Sequence, residues 1–598
     1  MLQPSNRLTL IDAMRAPAGY VFESAMAVTY TLDLRALLAA PAAFALGTSD
    51  QSTSQPTDEP IELLHAVRRY AQRITLFSQF DSIALPPSRK VFTFVENSLL
   101  PVRAPRGGVV HPKVWVLRYE PQHADDSQPV HRVLIASRNL TFDESWDTVV
   151  RLDETFTGPA VSLGGIADLF DGLCLQTLRP TTLEERHRVT ELGAALRERK
   201  FAAPTGVDVV RIHTFGFKPT DVPFPPRTDR SLVISPFLTD DFFASIGPRS
   251  IDTVVSRPEA IDGLSEATRN TIGELLTFED GGTDEAGSIS PNTDREEVGP
   301  GRPLTGLHAK VFAFENGSRA HLFLGSANAT GAAFRNNIEL LIEFESGIAQ
   351  LGIDALINGN DDEPGLRRLL TAHIATESTE SEPATNELDK LRHDLASLGM
   401  KGIVESTSEG WAVTYTSSEP LPALDGGTIS CWPLPIPASR RTVSSAEVLD
   451  VRFDTTLESI SGLLAFEVEL DGSRSGFVVP VPLEGLPDDR DRALLKSLIG
   501  NAERFFKYLL ALLDDDTATA SDTRRQVDRL ADSSDRDETS GLPVLEQLLR
   551  ARRTKPEKIA SLHPLVTDLA ADGVLPDGFI ELWELLMSGV LANDGSPG

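Results

Sequence analysis

Two short stretches of this chain carry the same side chains in the same order. HPKVWVLRY (111–119) and HAKVFAFEN (308–316) each read His, one spacer, Lys, then an alternation of aliphatic and aromatic residues. An apolar run and a Ser-x-Asn triplet follow each: RVLIASRNLT (132–141) and AHLFLGSANAT (320–330). Imidazole can act as nucleophile, acid or base near neutral pH. Ammonium and amide groups donate to oxygens on which negative charge spreads. Attack on a phosphodiester needs all of these: a nucleophile, a proton donor for the departing oxygen, and donors around the phosphoryl group. On a strand, residues i and i+2 share a face, so His111 aims with Lys113 and His308 with Lys310. Ser137 with Asn139, and Ser326 with Asn328, have the same spacing. One copy supplies one histidine, so the chemistry requires both copies to face each other across a phosphate-sized gap. Farther on, each copy places an acid on an apolar strand, Asp147 in SWDTVVRL and Glu339 in NNIELLIEF.

The elements that must position these residues repeat as well. AMAVTYTLD (25–33) answers SLVISPFLTD (231–240), and ITLFSQF (74–80) answers IDTVVSRP (251–258). Short β-branched runs separated by helical patterns predict α/β lobes. The expected fold class is α/β, with two tandem lobes over 1–185 and 186–350 related by a pseudo-two-fold axis. The helical period of LEERHRVTELGAALRERK (183–200) marks the crossing between them, and LRALLAAPAAFAL (34–46) reads as a buried helix. Polar breaks at 47–59, 280–303 and 376–387 read as two loops and a linker. A C-terminal α+β accessory region is expected: a linker and strand-rich domain over 351–484, and a helical part over 485–598 with its strongest amphipathic stretch at 494–513.

With 598 residues the chain exceeds one core and suggests three or four domains. Cys174 and Cys431 are the only cysteines and form no CxxC pair. That excludes a thiolate zinc site and a disulfide framework, and predicts a reducing, cytoplasmic setting. The opening residues have no apolar core behind a basic tip, so no signal, anchor or membrane association is expected. A net charge of −31 argues against a general nucleic-acid sponge. The sign reverses within 86–118, where Arg89, Lys90, Arg103, Arg106, Lys113 and Arg118 face only Glu96.

These motifs resemble the phospholipase D superfamily, whose signature is H-x-K followed by an acid and then G-S-x-N. The second copy fits, with Glu315 at the place of the acid and Gly325-Ser326-Ala327-Asn328 intact. In the first, Arg118 stands where the acid would be and Ala136 replaces Gly, which is similar to tyrosyl-DNA phosphodiesterase and bacterial nuclease-like members. The resemblance covers about 1–350. It implies a metal-independent, cofactor-free displacement through a phosphohistidine, with His111 as nucleophile and His308 as general acid. It further implies that Lys113, Lys310, Asn139 and Asn328 hold the phosphate oxygens, that Ser137 and Ser326 support them, and that Asp147 and Glu339 orient the histidines. Arg106 and Arg138 would touch substrate. The expected substrate is nucleic acid, DNA rather than RNA, and a bacterial genome-defence role is implied. Two other readings stand beside it: a lipid hydrolase, and a non-catalytic subunit whose C-terminal region docks a helicase or other defence partner.

Overall fold

The computed structural model describes residues 10–45, 67–122, 128–141, 145–157, 160–218, 220–246, 251–278, 306–359, 365–376, 383–500 and 556–575, with scattered positions between 505 and 587. The protein is a mixed α/β chain built on several sheets. The first comprises β1 (Tyr20–Thr29), β2 (Ile74–Gln79), β3 (Leu99–Val102), β4 (Val114–Pro121), β5 (Val130–Ala136) and β6 (Val149–Asp153), in the order β3-β2-β1-β4-β5-β6. Its first three strands run parallel, and β4, β5 and β6 add antiparallel. A small ribbon pairs β7 (Ala160–Val161) with β8 (Phe201–Ala202).

The second sheet contains β9 (Val209–Phe215), β10 (Arg230–Ile234), β11 (Ile251–Val255), β12 (Ile272–Phe278), β13 (Val311–Asn316), β14 (Arg319–Gly325), β15 (Glu339–Gly347) and β16 (Leu370–Ala372). Its order is β16-β12-β11-β10-β13-β14-β15-β9. The inner six strands, β12 to β15 in that order, repeat the order and sense of the first sheet. β9 and β16 extend the two edges. Because β16 lies past residue 350, this sheet draws on chain beyond the boundary expected for the second lobe.

The aliphatic–aromatic alternation now has a cause. Both faces of each sheet are buried, and successive side chains point to opposite faces. Val114 and Val116 of β4 share one core with Val311 and Ala313 of β13, so the two sheets pack through their aliphatic faces. Trp115, Leu117 and Tyr119 point the other way, toward the helix Leu34–Ala45. Phe312 and Phe314 point away into a phenylalanine-rich layer with Phe224, Phe242, Phe323 and Phe334. The crossing helix is Leu183–Glu198, started by a capping box in which Thr182 and Glu185 satisfy each other's backbone N–H groups.

Beyond it, two four-stranded sheets face each other. β17 (Met400–Thr407), β18 (Gly410–Pro420), β21 (Val448–Thr455) and β24 (Leu483–Glu484) form one; β19 (Thr428–Pro433), β20 (Arg441–Val443), β22 (Leu463–Leu470) and β23 (Ser473–Pro480) form the other. Tyr415, Phe453, Phe466 and Phe477 fill the space between them, with Leu388, Leu391 and Leu395 of the helix Pro383–Ser397. The expected amphipathic stretch is helical over Arg490–Ile499 and stops at Gly500, whose φ of 69° ends the helix. Most of 501–513 lies outside the described residues, as do the expected loops at 47–59 and 280–303. Of the expected linker, residue 376 and the helix start from Pro383 are described. Among the described residues no helix is long and apolar enough to cross a membrane.

Candidate active site

Each His-x-Lys triplet occupies the extended segment entering the central antiparallel strand of its sheet, β4 or β13. The opposite sheet holds that segment. Val110 makes a parallel bridge with Ile338, and Leu307 makes one with Trp146. The His111 N–H donates to the Ile338 carbonyl (3.0 Å) and the His308 N–H to the Trp146 carbonyl (2.8 Å). In both places the residue before a histidine meets the residue before the other copy's acid. The two sheets are therefore hydrogen-bonded to each other at the two histidines, which lie about 200 residues apart in sequence.

The side chains continue this crossing. His111 Nδ1 lies 3.0 Å from Glu339 Oε2, so the acid of the second copy serves the histidine of the first. The Ser326 hydroxyl donates to the same carboxylate oxygen and receives the Leu340 N–H at 3.0 Å. Ser137 occupies the matching place, receiving the Thr148 N–H at 2.8 Å. Lys113 Nζ donates to the His111 carbonyl (2.5 Å) and Lys310 Nζ to the His308 carbonyl (2.6 Å). Lys310 Nζ also stands 3.1 Å from His308 Nδ1. Tyr30 sets its ring edge-to-face with His111, centroids 5.4 Å apart. Asn139 and Asn328 each keep a buried side-chain oxygen with no hydrogen-bond partner among the described residues. Such an atom is costly unless something binds it. The two ends of an amide are interchangeable by rotation, so either copy can present N–H donors to an oxyanion instead.

Electrostatics follow from burial among like charges. Burial pushes His111 down to about 4; Glu339 pulls it up, and Lys113 and Lys310 push it down again. His308 falls to about 2 through burial, then Lys310, Lys113, His111 and Arg257. Lys113 is lowered by burial and by Lys310, against the pull of Glu339. Burial alone would raise the Glu339 carboxyl, but His111, Lys113 and the Ser326 hydroxyl hold it below its ordinary value. Each set thus feels the charges of the other. Burial and mutual repulsion lower both histidines and Lys113, which is the electrostatic profile of an anion site.

Other expected residues sit differently. Glu315 lies at the far end of β13, where it accepts the Ile353 N–H at 2.7 Å and pairs with Arg230. Asp147 is half-buried with Arg138 Nε 3.9 Å from its carboxylate. Arg106 donates to the Gly216 carbonyl (2.7 Å) and fastens one sheet to the other. Three more cations of the basic run are engaged within the fold, Lys90 with Glu458, Arg103 with the Ser397 carbonyl and Arg118 with Glu120 and Glu191, while Arg89 is exposed. Two residues escaped the sequence reading. Gln79 accepts the Val110 N–H (2.9 Å), and Arg257 donates to the Leu307 carbonyl through Nε (3.1 Å) and Nη2 (2.8 Å). ITLFSQF and IDTVVSRP align these two as repeat partners; since Gln and Arg differ, nothing in the sequence marks them.

No family model and no curated protein matches the chain. Among solved structures it is similar to yeast tyrosyl-DNA phosphodiesterase, at 10% identity and a TM-score of 0.30 over 56% of this chain and 84% of that one. It is also similar to the phosphatidylserine synthase of Haemophilus influenzae Rd KW20 (12% identity, TM-score 0.32, 64% of this chain, 90% of that one). A third is the polyphosphate kinase of Porphyromonas gingivalis (12%, 0.25, 56% and 41%). TM-scores of this size assign no activity, so the chemistry rests on the side chains.

Proposed function

We propose that this chain is a phosphodiesterase of phospholipase D-like architecture, two lobes about a pseudo-two-fold axis, cleaving nucleic-acid strands through a covalent phosphohistidine. One observation carries the reading: two His-Lys pairs, brought in by reciprocal bridges between two equivalent sheets, are buried close enough to bear on each other's charge.

A phosphodiester anion between them meets Lys113 and Lys310, with Asn139 and Asn328 to hold its non-bridging oxygens. Its negative charge relieves the crowding of cations and raises both histidines, so that His308 takes up a proton from solvent before the chemistry. Glu339 accepts a hydrogen bond from the Nδ1–H of His111, which fixes the tautomer and leaves the Nε2 lone pair to attack phosphorus. A P–N bond forms as the P–O bond to the leaving group breaks, and the departing oxygen takes a proton from His308. His308 then removes a proton from water. The water oxygen attacks phosphorus, the P–N bond breaks, and His111 is regenerated. The substrate assignment rests on Arg138, directly beside Asn139, where a guanidinium can hold a neighbouring strand phosphate.

A 5′-labelled single-stranded DNA, incubated in chelator and quenched in denaturant, tests this. The expected result is strand cleavage with label transiently bound to the peptide containing His111. His111→Ala removes both signals, and His308→Ala slows turnover about 10²–10⁴-fold, the usual worth of a positioned acid-base group. Intact DNA and RNA with no adduct in the wild-type chain would overturn the reading.

A further inference from the structure

Around His308 the two copies depart from symmetry. Phe237 is 50% exposed although Ser235, Pro236 and Leu238 around it are buried. Its backbone is tied to the residue after Asn328: Ser235 Oγ receives the Ala329 N–H (3.0 Å) and donates to the Phe237 carbonyl (2.8 Å), and Leu238 bridges Ala329. The Arg257 guanidinium sits over the ring, 5.3 Å from its centroid, while the same group donates to the carbonyl of Leu307, next to His308. An aromatic ring with a fixed cation on one face therefore flanks both His308 and Asn328. The first lobe is built differently: its ring beside the histidine is Tyr30, which sets its edge against His111 (centroids 5.4 Å apart) with Lys113 Nζ 5.8 Å from its centroid, at another place in the repeat. Leu32 pairs with Leu140 as Leu238 pairs with Ala329, which puts Thr31 opposite Phe237 and Gln79 opposite Arg257.

Leaving a phenylalanine half in water forfeits burial that the rings of the phenylalanine-rich layer obtain. A planar partner on the open face would recover it. A quaternary ammonium head group could also sit on an aromatic ring, but Arg257 repels it. A nucleobase suits both the ring and the guanidinium.

We propose that Phe237, backed by Arg257, is the platform on which a base adjoining the scissile phosphate stacks, on the His308 side of the pocket. This rests on the phosphodiesterase reading above and adds a specificity residue and an orientation to it. The test compares kcat/KM for a single-stranded DNA and for a strand of the same length built from abasic tetrahydrofuran units, using wild type, Phe237→Ala and Phe237→Trp. Stacking predicts that Phe237→Ala loses about 5- to 100-fold on the DNA, the worth of one stacked base, and nothing on the abasic strand. Phe237→Trp keeps most of the wild-type rate. Equal loss on both strands, or loss on neither, overturns the platform and leaves the phosphodiesterase standing. Wild-type chain inert toward both strands, and toward RNA of the same length, overturns both. An unchanged thermal midpoint, expected for so exposed a side chain, shows that the variant is folded.

Discussion

His111 and His308 are neutral at pH 7, because burial and the two ammonium groups penalise further positive charge. This has a consequence for stability. In the unfolded chain both titrate near the ordinary value of about 6.5, whereas the folded pocket accepts protons only near 4 and 2. The unfolded state therefore binds more protons as pH falls below about 6.5, and folding stability declines from there through the folded values. Urea midpoints between pH 7 and 4.5 should fall, and fall less steeply in a His111→Gln, His308→Gln double variant. Saturating phosphate should flatten the decline, because a bound anion raises both histidines. Equal slopes for wild type and double variant would show that these rings are not buried as described. Residue types and spacing were legible at this scale: the His, Lys, Ser and Asn of both copies carry their own repeat. The partnership of His111 with Glu339 was not, because nothing in a strand's sequence states which sheet its acid will cross to. Glu315 misled for a related reason. Five residues past Lys310 along an extended strand is a displacement of roughly 16 Å, well out of reach of the phosphate.

At the scale of elements, what holds the two sets together is a turn. Asn336 and Asn337 precede Glu339, and two glycines press against them from opposite sheets. A Cβ on Gly108 would stand 2.1 Å from the Asn336 carbonyl oxygen, and one on Gly216 would stand 2.3 Å from that of Asn337. Gly216 also needs its φ of 97°, while Gly108 is required only by the close approach. Asn337 Oδ1 receives the Val109 N–H at 3.1 Å, completing the clamp beside His111. Gly108→Ala should therefore push the turn, and Glu339 with it, away from His111. The expected cost is about 1–3 kcal/mol of stability, as for other overpacked sites, with a fall in kcat larger than any change in KM. Thermal unfolding and steady-state kinetics on the same variant check it; wild-type values in both would mean the sheets can separate there without cost. The strands themselves were readable from alternation, since a sheet buried on both faces writes aliphatic and aromatic residues in turn. The clamp was not, because a single-residue bridge has no period and a glycine required by a neighbour's carbonyl looks like any loop glycine.

The whole molecule does not divide where composition changes. Val478 of β23 donates to the Ile83 carbonyl (3.0 Å), and Trp432, Leu463 and Val478 share a core with Phe92, Phe94 and Val95 of the first lobe. Leu494, Leu495 and Ile499, with the helix Pro556–Ala571, close the same core. At its centre Arg490 forms a buried ion pair with Glu96, whose other oxygen accepts the Gly462 N–H (2.8 Å) and the Ser461 hydroxyl (3.2 Å). The acid that stood alone in the basic run of 86–118 is thus the anchor of the C-terminal region. Sequence could show that 402–480 is strand-rich; it could not show that an arginine nearly 400 residues later answers Glu96, since a buried pair leaves no local pattern. The helix Pro383–Ser397 reaches still closer to the chemistry: His393 pairs with Asp81 at 2.8 Å, and Asp81 and Arg392 both bear on Tyr30, which rests on His111. Removing one member of a buried pair leaves the other charged without a partner, at about 3–5 kcal/mol. Arg490→Ala should therefore destabilise the first lobe and the sandwich together, lowering a single unfolding transition followed by both Trp115 and Trp432 fluorescence. Independent units would respond separately, with the transition at Trp115 unmoved. That outcome would leave the C-terminal region the accessory part expected from sequence, whereas a joint shift makes it part of the scaffold that holds His111 in place.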